Sequence, residues 1–152
     1  MNKFFNDKLD LGLLIIRVGL GIMFITHGAP KIFGGPDMWL KIGGAIGNFG
    51  IHFWPQFWGL MSGVAEFGGG IALILGVAFK PMMAMLAINM TVAAVSHFAR
   101  GQGLAGASHA IEDGIVFLGL IFGGAGKYTL HWLLKPWRPA APPKPDDYAT
   151  LT

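Results

Sequence analysis

Four apolar runs, at about 10–29, 57–78, 81–99 and 107–126, constrain this chain more than any other feature. Each is close to the roughly 20 residues that an α-helix needs to cross the hydrocarbon of a bilayer. The expected fold class is all-α: an integral membrane four-helix bundle, with the lipid bilayer as its first partner. Composition agrees. Apolar residues make up 53% and charged residues 12%, where a soluble domain carries about 25% charge. No small-residue cleavage site follows the first run, and further apolar runs come after it, so it reads as a retained membrane helix and not a signal peptide.

At 152 residues the chain reads as one domain. Residues 1–138 form the expected four-span membrane domain, and the Pro-rich polar stretch 139–152 reads as a disordered tail. The sequence has no cysteine, which excludes disulfides, thiolate metal sites and thiol redox chemistry by its own residues. The net charge of +3 comes mostly from Lys and Arg near run ends. No basic cluster has interleaved polar readers, so no nucleic-acid partner is expected.

Lys80-Pro81 separates the second run from the third and predicts a tight hairpin. Four spans place both termini on one side. Lys3, Lys8, Lys80, Lys127, Lys135, Arg138 and Lys144 fall on that side, and Lys31, Lys41 and Arg100 on the other. The excess of basic residues predicts cytoplasmic termini. Between the first two spans, Pro36-Asp37 is a helix start, with Met38, Trp39, Ile42, Ile46 and Phe49 at helical spacing behind it. This predicts a short interfacial helix or lid. His52, Phe53, Trp54, Phe57 and Trp58 form an expected outer aromatic belt, with Tyr128, Trp132 and Trp137 as the inner one.

The ionisable groups inside the runs are Arg17, Glu66, Glu112 and Asp113, with Asn89 as a polar neutral group and His27, His97 and His109 near span ends. Intramembrane charges are costly and need partners. Helical rise places these residues in one column, from the outer surface to somewhat below the midplane. At its lower end Arg17 is expected to face the interior within hydrogen-bond reach of Glu66, as a structural ion pair or as part of a ligand-binding or proton-handling site. Glu112 and Asp113 are adjacent carboxylates that would repel one another, which calls for a cation nearby or for Asp113 to face a wet cavity. The three histidines are interfacial side chains with one wet end, or they converge with Glu112 on a metal ion. Four-helix bundles do house carboxylate–histidine metal sites, but in Glu-x-x-His order. Here the order is reversed, as His109-x-x-Glu112, and occurs once.

Soluble-enzyme motifs are absent. Gly19-x-Gly21 lacks the third glycine of a dinucleotide loop, and no Ser/His/Asp set has a nucleophile elbow around it.

In order along the chain stand Arg17-x3-Gly21-x2-Phe24-x3-Gly28-x2-Lys31, then Glu66-x2-Gly69-Gly70-x2-Leu73-x2-Gly76. Glu112 follows, and after it Gly124-Ala125-Gly126-Lys127-Tyr128-Thr129-Leu130. The chain from about 10 to 131 resembles the DoxX-like family of small four-helix membrane proteins. Where that family usually has an aspartate, this chain has His131. The resemblance implies a multi-pass protein of the bacterial cytoplasmic (inner) membrane. Family members look like small subunits of quinone-linked oxidoreductases and redox-stress complexes.

On this reading Arg17, Glu66 and Glu112 line a quinone-sized pocket, Arg17 or a histidine bonds a ring carbonyl, and a carboxylate relays protons. Quinone is thus the expected cofactor, with a metal or haem as an alternative. The electron donor is a bound cofactor or a partner redox subunit. Two further functions stay open: a non-catalytic accessory subunit that anchors a larger membrane complex, and a proton-coupled carrier of a small molecule or metal, which would need to form a homo-oligomer.

Overall fold

The structure is a computed structural model that describes residues 3–135, with side chains from Asp7 onward. The Lys3 side chain, Trp137, Arg138, Lys144 and the tail expected at 139–152 therefore lie outside what is described. The elements in order are α1 (Lys3–Phe33), α2 (Gly35–Gly43), a 3₁₀ segment (Gly44–Phe49), α3 (Pro55–Leu75), α4 (Phe79–Ala99), α5 (Gly103–Gly123) and the short α6 (Leu130–Leu133). The described residues contain no strand. Four of the helices are long and apolar enough to cross a membrane: the stretch Asp7–Phe33 of α1, and α3, α4 and α5. At 21 residues each, α3, α4 and α5 are about 31 Å long, which matches the thickness of bilayer hydrocarbon.

The surface of the bundle is apolar. Ile15, Ile88, Ile115 and Phe122 are among many large hydrophobic side chains left open to the surroundings. Arg17, Glu66, Ser96 and Asp113, by contrast, are buried. In water such a surface would aggregate. Against lipid tails it is at home, and the chain is a multi-pass membrane protein.

Small residues set how the helices approach. With no hydrophobic effect between helices in lipid, close van der Waals packing holds them together. A Cβ on Gly28 would lie 2.3 Å from the Phe67 nitrogen, and one on Gly70 would lie 2.7 Å from the Gly21 carbonyl oxygen. Gly21 and Gly28 of α1 therefore lie directly on the α3 backbone, antiparallel, with Gly28 level with Glu66 and Gly21 level with Gly70. Phe24 crosses to α5 and meets the Phe117 ring edge-on at 4.9 Å. With Leu73, Met83, Leu86 and Leu120 these rings form the buried core.

α1 does not stop at Pro30. It runs on as helix to Phe33, although proline leaves the carbonyl one turn back without its usual donor. α2 begins where Pro36 and Asp37 indicate, with the proline in its first turn. It is clamped onto α3 by two glycines. A Cβ on Gly59 would lie 1.9 Å from the Trp39 carbonyl oxygen, and one on Gly43 would lie 1.6 Å from that of Pro55. α2 and the 3₁₀ segment thus form a roof over the end of the bundle opposite the termini.

Candidate functional site

Beneath that roof, α3 and α4 enclose a cleft of about 900 Å³, within the usual range of small-molecule sites. Its walls are mostly apolar: Ile42 and Ile46 from the roof, Phe57, Trp58 and Met61 from α3, and Met85, Ile88 and Val92 from α4. Glu66 and Asn89 stand among them, and Lys31 reaches in from α1.

These three side chains form one network. Lys31 Nζ lies 2.5 Å from Glu66 Oε1, and Asn89 Nδ2 donates to the same oxygen at 2.9 Å. Glu66 is 3% exposed, and its other oxygen, Oε2, is buried with no hydrogen-bond partner. A buried acceptor left unmade costs the full desolvation of the group, so this atom marks a place where a donor belongs. Donor capacity also remains nearby. An ammonium carries three N–H bonds and a carboxamide two, and Lys31 and Asn89 each spend one on Glu66.

Cations also line the cleft. Lys31, Lys41 and Arg100, the three basic residues that the sequence assigns to this end, all line the cleft. His97 lines it as well, with its ring nitrogen Nδ1 bonded to Gln102. Two bonds tie the roof down. Asn48 Nδ2 donates to Ser96 Oγ on α4 at 3.1 Å, and Trp39 Nε1 donates to the Lys31 carbonyl at 2.7 Å.

Arg17 is not part of this network, and the expected Arg17–Glu66 pair does not form. Arg17 is fully buried and faces the interior, but its partners are four main-chain carbonyls. Nε donates to Leu73 O at 2.8 Å and Nη2 to Ile74 O at 3.0 Å. Nη1 donates to Ala125 O at 2.6 Å and Tyr128 O at 2.8 Å. Leu73 and Ile74 lie in the last turn of α3, where carbonyls lack intrahelical donors and the helix dipole favours a cation. Leu73 is seven residues from Glu66 along α3, about 10 Å of rise, beyond hydrogen-bond reach. The column estimated from helical rise sets Arg17 too near Glu66: with Gly21 against Gly70, Arg17 is level with the end of α3 and meets its carbonyls.

The remaining polar residues form a second group, between α1 and α5. The His27 and His109 rings stand 6.4 Å apart, and His109 Nε2 lies 3.5 Å from Asp113 Oδ2. Asp113 is buried while Glu112, one position earlier, is exposed, so the two carboxylates diverge onto different faces of α5. His97 is not with them. The expected convergence of His27, His97, His109 and Glu112 is therefore not seen, and the described residues contain no group of three His, Asp or Glu side chains placed to hold a metal. Of the candidate residues, the cleft gathers Glu66, Asn89 and His97.

Lys31 is a cleft residue that the sequence reading placed beyond the first span and did not name among the site residues. The signal was present: Arg17, Gly21, Phe24, Gly28 and Lys31 advance by four, three, four and three residues, which keeps one helical face straight through Pro30.

A family model described as DoxX matches residues 12–99. That stretch contains Lys31, Glu66, Asn89 and His97, whereas His109, Glu112 and Asp113 lie beyond it. An uncharacterised protein of Haemophilus influenzae is 30% identical over 124 residues, which cover 78% of this chain and 87% of that protein. CatD of Bacillus subtilis, named provisionally as an oxidoreductase, is 29% identical over 91 residues, 60% of this chain and 63% of that protein. No solved structure matches the chain.

Proposed function

From the fact that this chain belongs to the DoxX family, we propose that it is the membrane subunit of a quinone-linked redox system, and that the cleft under α2 binds the quinone ring. The observation that carries this reading is Glu66, which lines an apolar cleft and keeps Oε2 buried without a hydrogen-bond partner. Quinones are flat apolar rings with one polar oxygen at each end. Aromatic and thioether side chains such as Trp58, Met61 and Met85 suit the ring faces. The spare N–H bonds of Lys31 and Asn89 suit a ring carbonyl, and Oε2 suits a ring hydroxyl. The name of the Bacillus subtilis relative points to the same class of chemistry.

Glu66 serves in this scheme as the relay for the protons that quinone reduction takes up, while Lys31 and Asn89 hold its other oxygen in place. The electrons come from a bound cofactor or a partner redox subunit, because a chain without cysteine offers no thiol couple of its own. Both termini lie in the cytoplasm of a bacterium, and the cleft opens near the other face of the cell membrane, in keeping with the excess of basic residues at the terminal end.

Gentle detergent extraction followed by mass spectrometry of bound lipids tests this directly. A quinone is expected in extracts of the native protein and depleted at least several-fold in Glu66→Ala. A quinone-free extract, together with no binding of an added short-chain quinone, overturns the reading.

A further inference from the structure

We infer that the cleft selects between the two redox forms of its ring, holding the hydroxyl-bearing quinol in preference to the dicarbonyl quinone. This inference rests on the reading of the cleft as a quinone site. It starts from an inventory of donors and acceptors. Glu66 forms an ion pair with Lys31 through Oε1. As a carboxylate it has acceptor sites only. Asn89 donates to that same oxygen, so both protein donors crowd one side of the carboxylate and leave Oε2 bare.

A quinone has no O–H. Seated against Oε2 it would bring one acceptor against another and bury both without a donor, which is the costly outcome for polar groups. Reduction takes up two electrons from a partner redox subunit and two protons from bulk water, and turns both carbonyls into hydroxyls. One of these then donates to Oε2 in a charge-assisted bond, stronger than a neutral one. The second oxygen still accepts from a spare Lys31 or Asn89 N–H, which the quinone form could also use. Only the bond to Oε2 distinguishes the two forms.

Sites built to bond a hydroxyl strongly reject analogues that lack it. The partial exposure of Lys31, 27% of its side chain, lets water soften the penalty, so the expected preference is tenfold or more. By linkage, tighter binding of the reduced form raises the reduction potential of the bound couple. Each tenfold preference shifts a two-electron couple by about 30 mV. The cleft would therefore draw the ring toward quinol and make it a better electron acceptor from the partner subunit than the same quinone free in the bilayer.

Isothermal titration of the detergent-purified full chain with duroquinol and with duroquinone, under argon, tests the inference. The native protein is expected to bind duroquinol at least tenfold more tightly. In Glu66→Gln the preference should collapse to within about threefold, because an amide presents donor and acceptor alike. In Asn89→Leu, which leaves Oε2 in place, both affinities fall and the preference for duroquinol remains. Equal affinity of the native protein for the two forms overturns the inference while leaving the cleft a quinone site. Failure of both forms to bind overturns the inference and the proposed function together. Because the first comparison needs no substitution, a Glu66→Gln chain that fails to fold still leaves a decisive result.

Discussion

Arg17 and Glu66 are both buried charges in a membrane helix, and the bundle accommodates them in opposite ways. The Arg17 guanidinium is saturated. Four carbonyls from α3 and the segment after α5 accept its N–H bonds, and Gly76 makes room for it. A Cβ on Gly76 would lie 2.6 Å from Nη2, and its φ of +67° favours glycine in any case. Glu66 is half satisfied, with one oxygen doubly bonded and the other bare. A saturated charge reads as architecture, and the half-satisfied Glu66 beside a cleft is the group proposed to bind the ligand. Arg17→Leu is accordingly expected to destabilise the bundle by about 3 kcal/mol or more, since it strips charge-assisted hydrogen bonds from buried carbonyls. Arg17→Lys should also lower the unfolding temperature, because a point-like ammonium cannot span two pairs of carbonyls. Thermal unfolding in detergent, followed by circular dichroism, measures both. The same Arg17→Lys chain should bind quinone within about twofold of the native protein. A large loss of binding there would place Arg17 in the site after all.

The contact between α1 and α3, and that between α2 and α3, rest on backbone meeting backbone. Gly59→Ala is expected to push α2 off α3, because the new methyl would meet the Trp39 carbonyl. That loosens the roof and weakens quinone binding several-fold, with about 1–3 kcal/mol of stability lost to overpacking. Gly19→Ala is the contrast. Nothing lies within 4 Å of its Cβ position, so stability and binding should both hold. Equal effects of the two changes would remove the close approach as the organising contact. The same contacts explain what could be read from the sequence and what could not. Apolar length and the Pro36-Asp37 start were enough to find the four long helices and α2, because each is a local property. The partners of Arg17 were hidden because main-chain carbonyls at a helix end carry no residue signature. Lys31 was passed over because it lies beyond the apolar run that ends at about residue 29, while the helix itself continues to Phe33. The inventory of buried polar residues held Glu66 and Asn89, but only the α1–α3 register shows that Lys31, and not Arg17, is level with them.

The two ends of the molecule differ in kind. At the terminal end, Arg17 joins α1 to α3 and to the segment after α5, Lys127 N donates to Asp10 at 3.0 Å, and Lys127 Nζ reaches Asp7 at 3.4 Å. At the other end the roof rests on α3 at Gly43 and Gly59 and is tied to α1 and α4 by single hydrogen bonds over a cleft. This asymmetry bears on orientation. The three basic residues that count against cytoplasmic termini, Lys31, Lys41 and Arg100, all line the cleft, where the proposed ligand gives them a second role. Set aside on that reading, they leave Lys8, Lys80, Lys127 and Lys135 as the described basic residues of the terminal end, a distribution that the positive-inside rule associates with cytoplasmic termini. The absence of native cysteine makes single replacements clean probes. An impermeant maleimide added to intact cells is expected to label Gln56→Cys, and to label Lys80→Cys and Lys135→Cys only after the cells are opened. The reverse pattern inverts the molecule. With the expected pattern, the cleft lies near the outer face, and a redox partner that serves its ring must approach from that side or from within the bilayer, past the exposed Ile88 wall of α4.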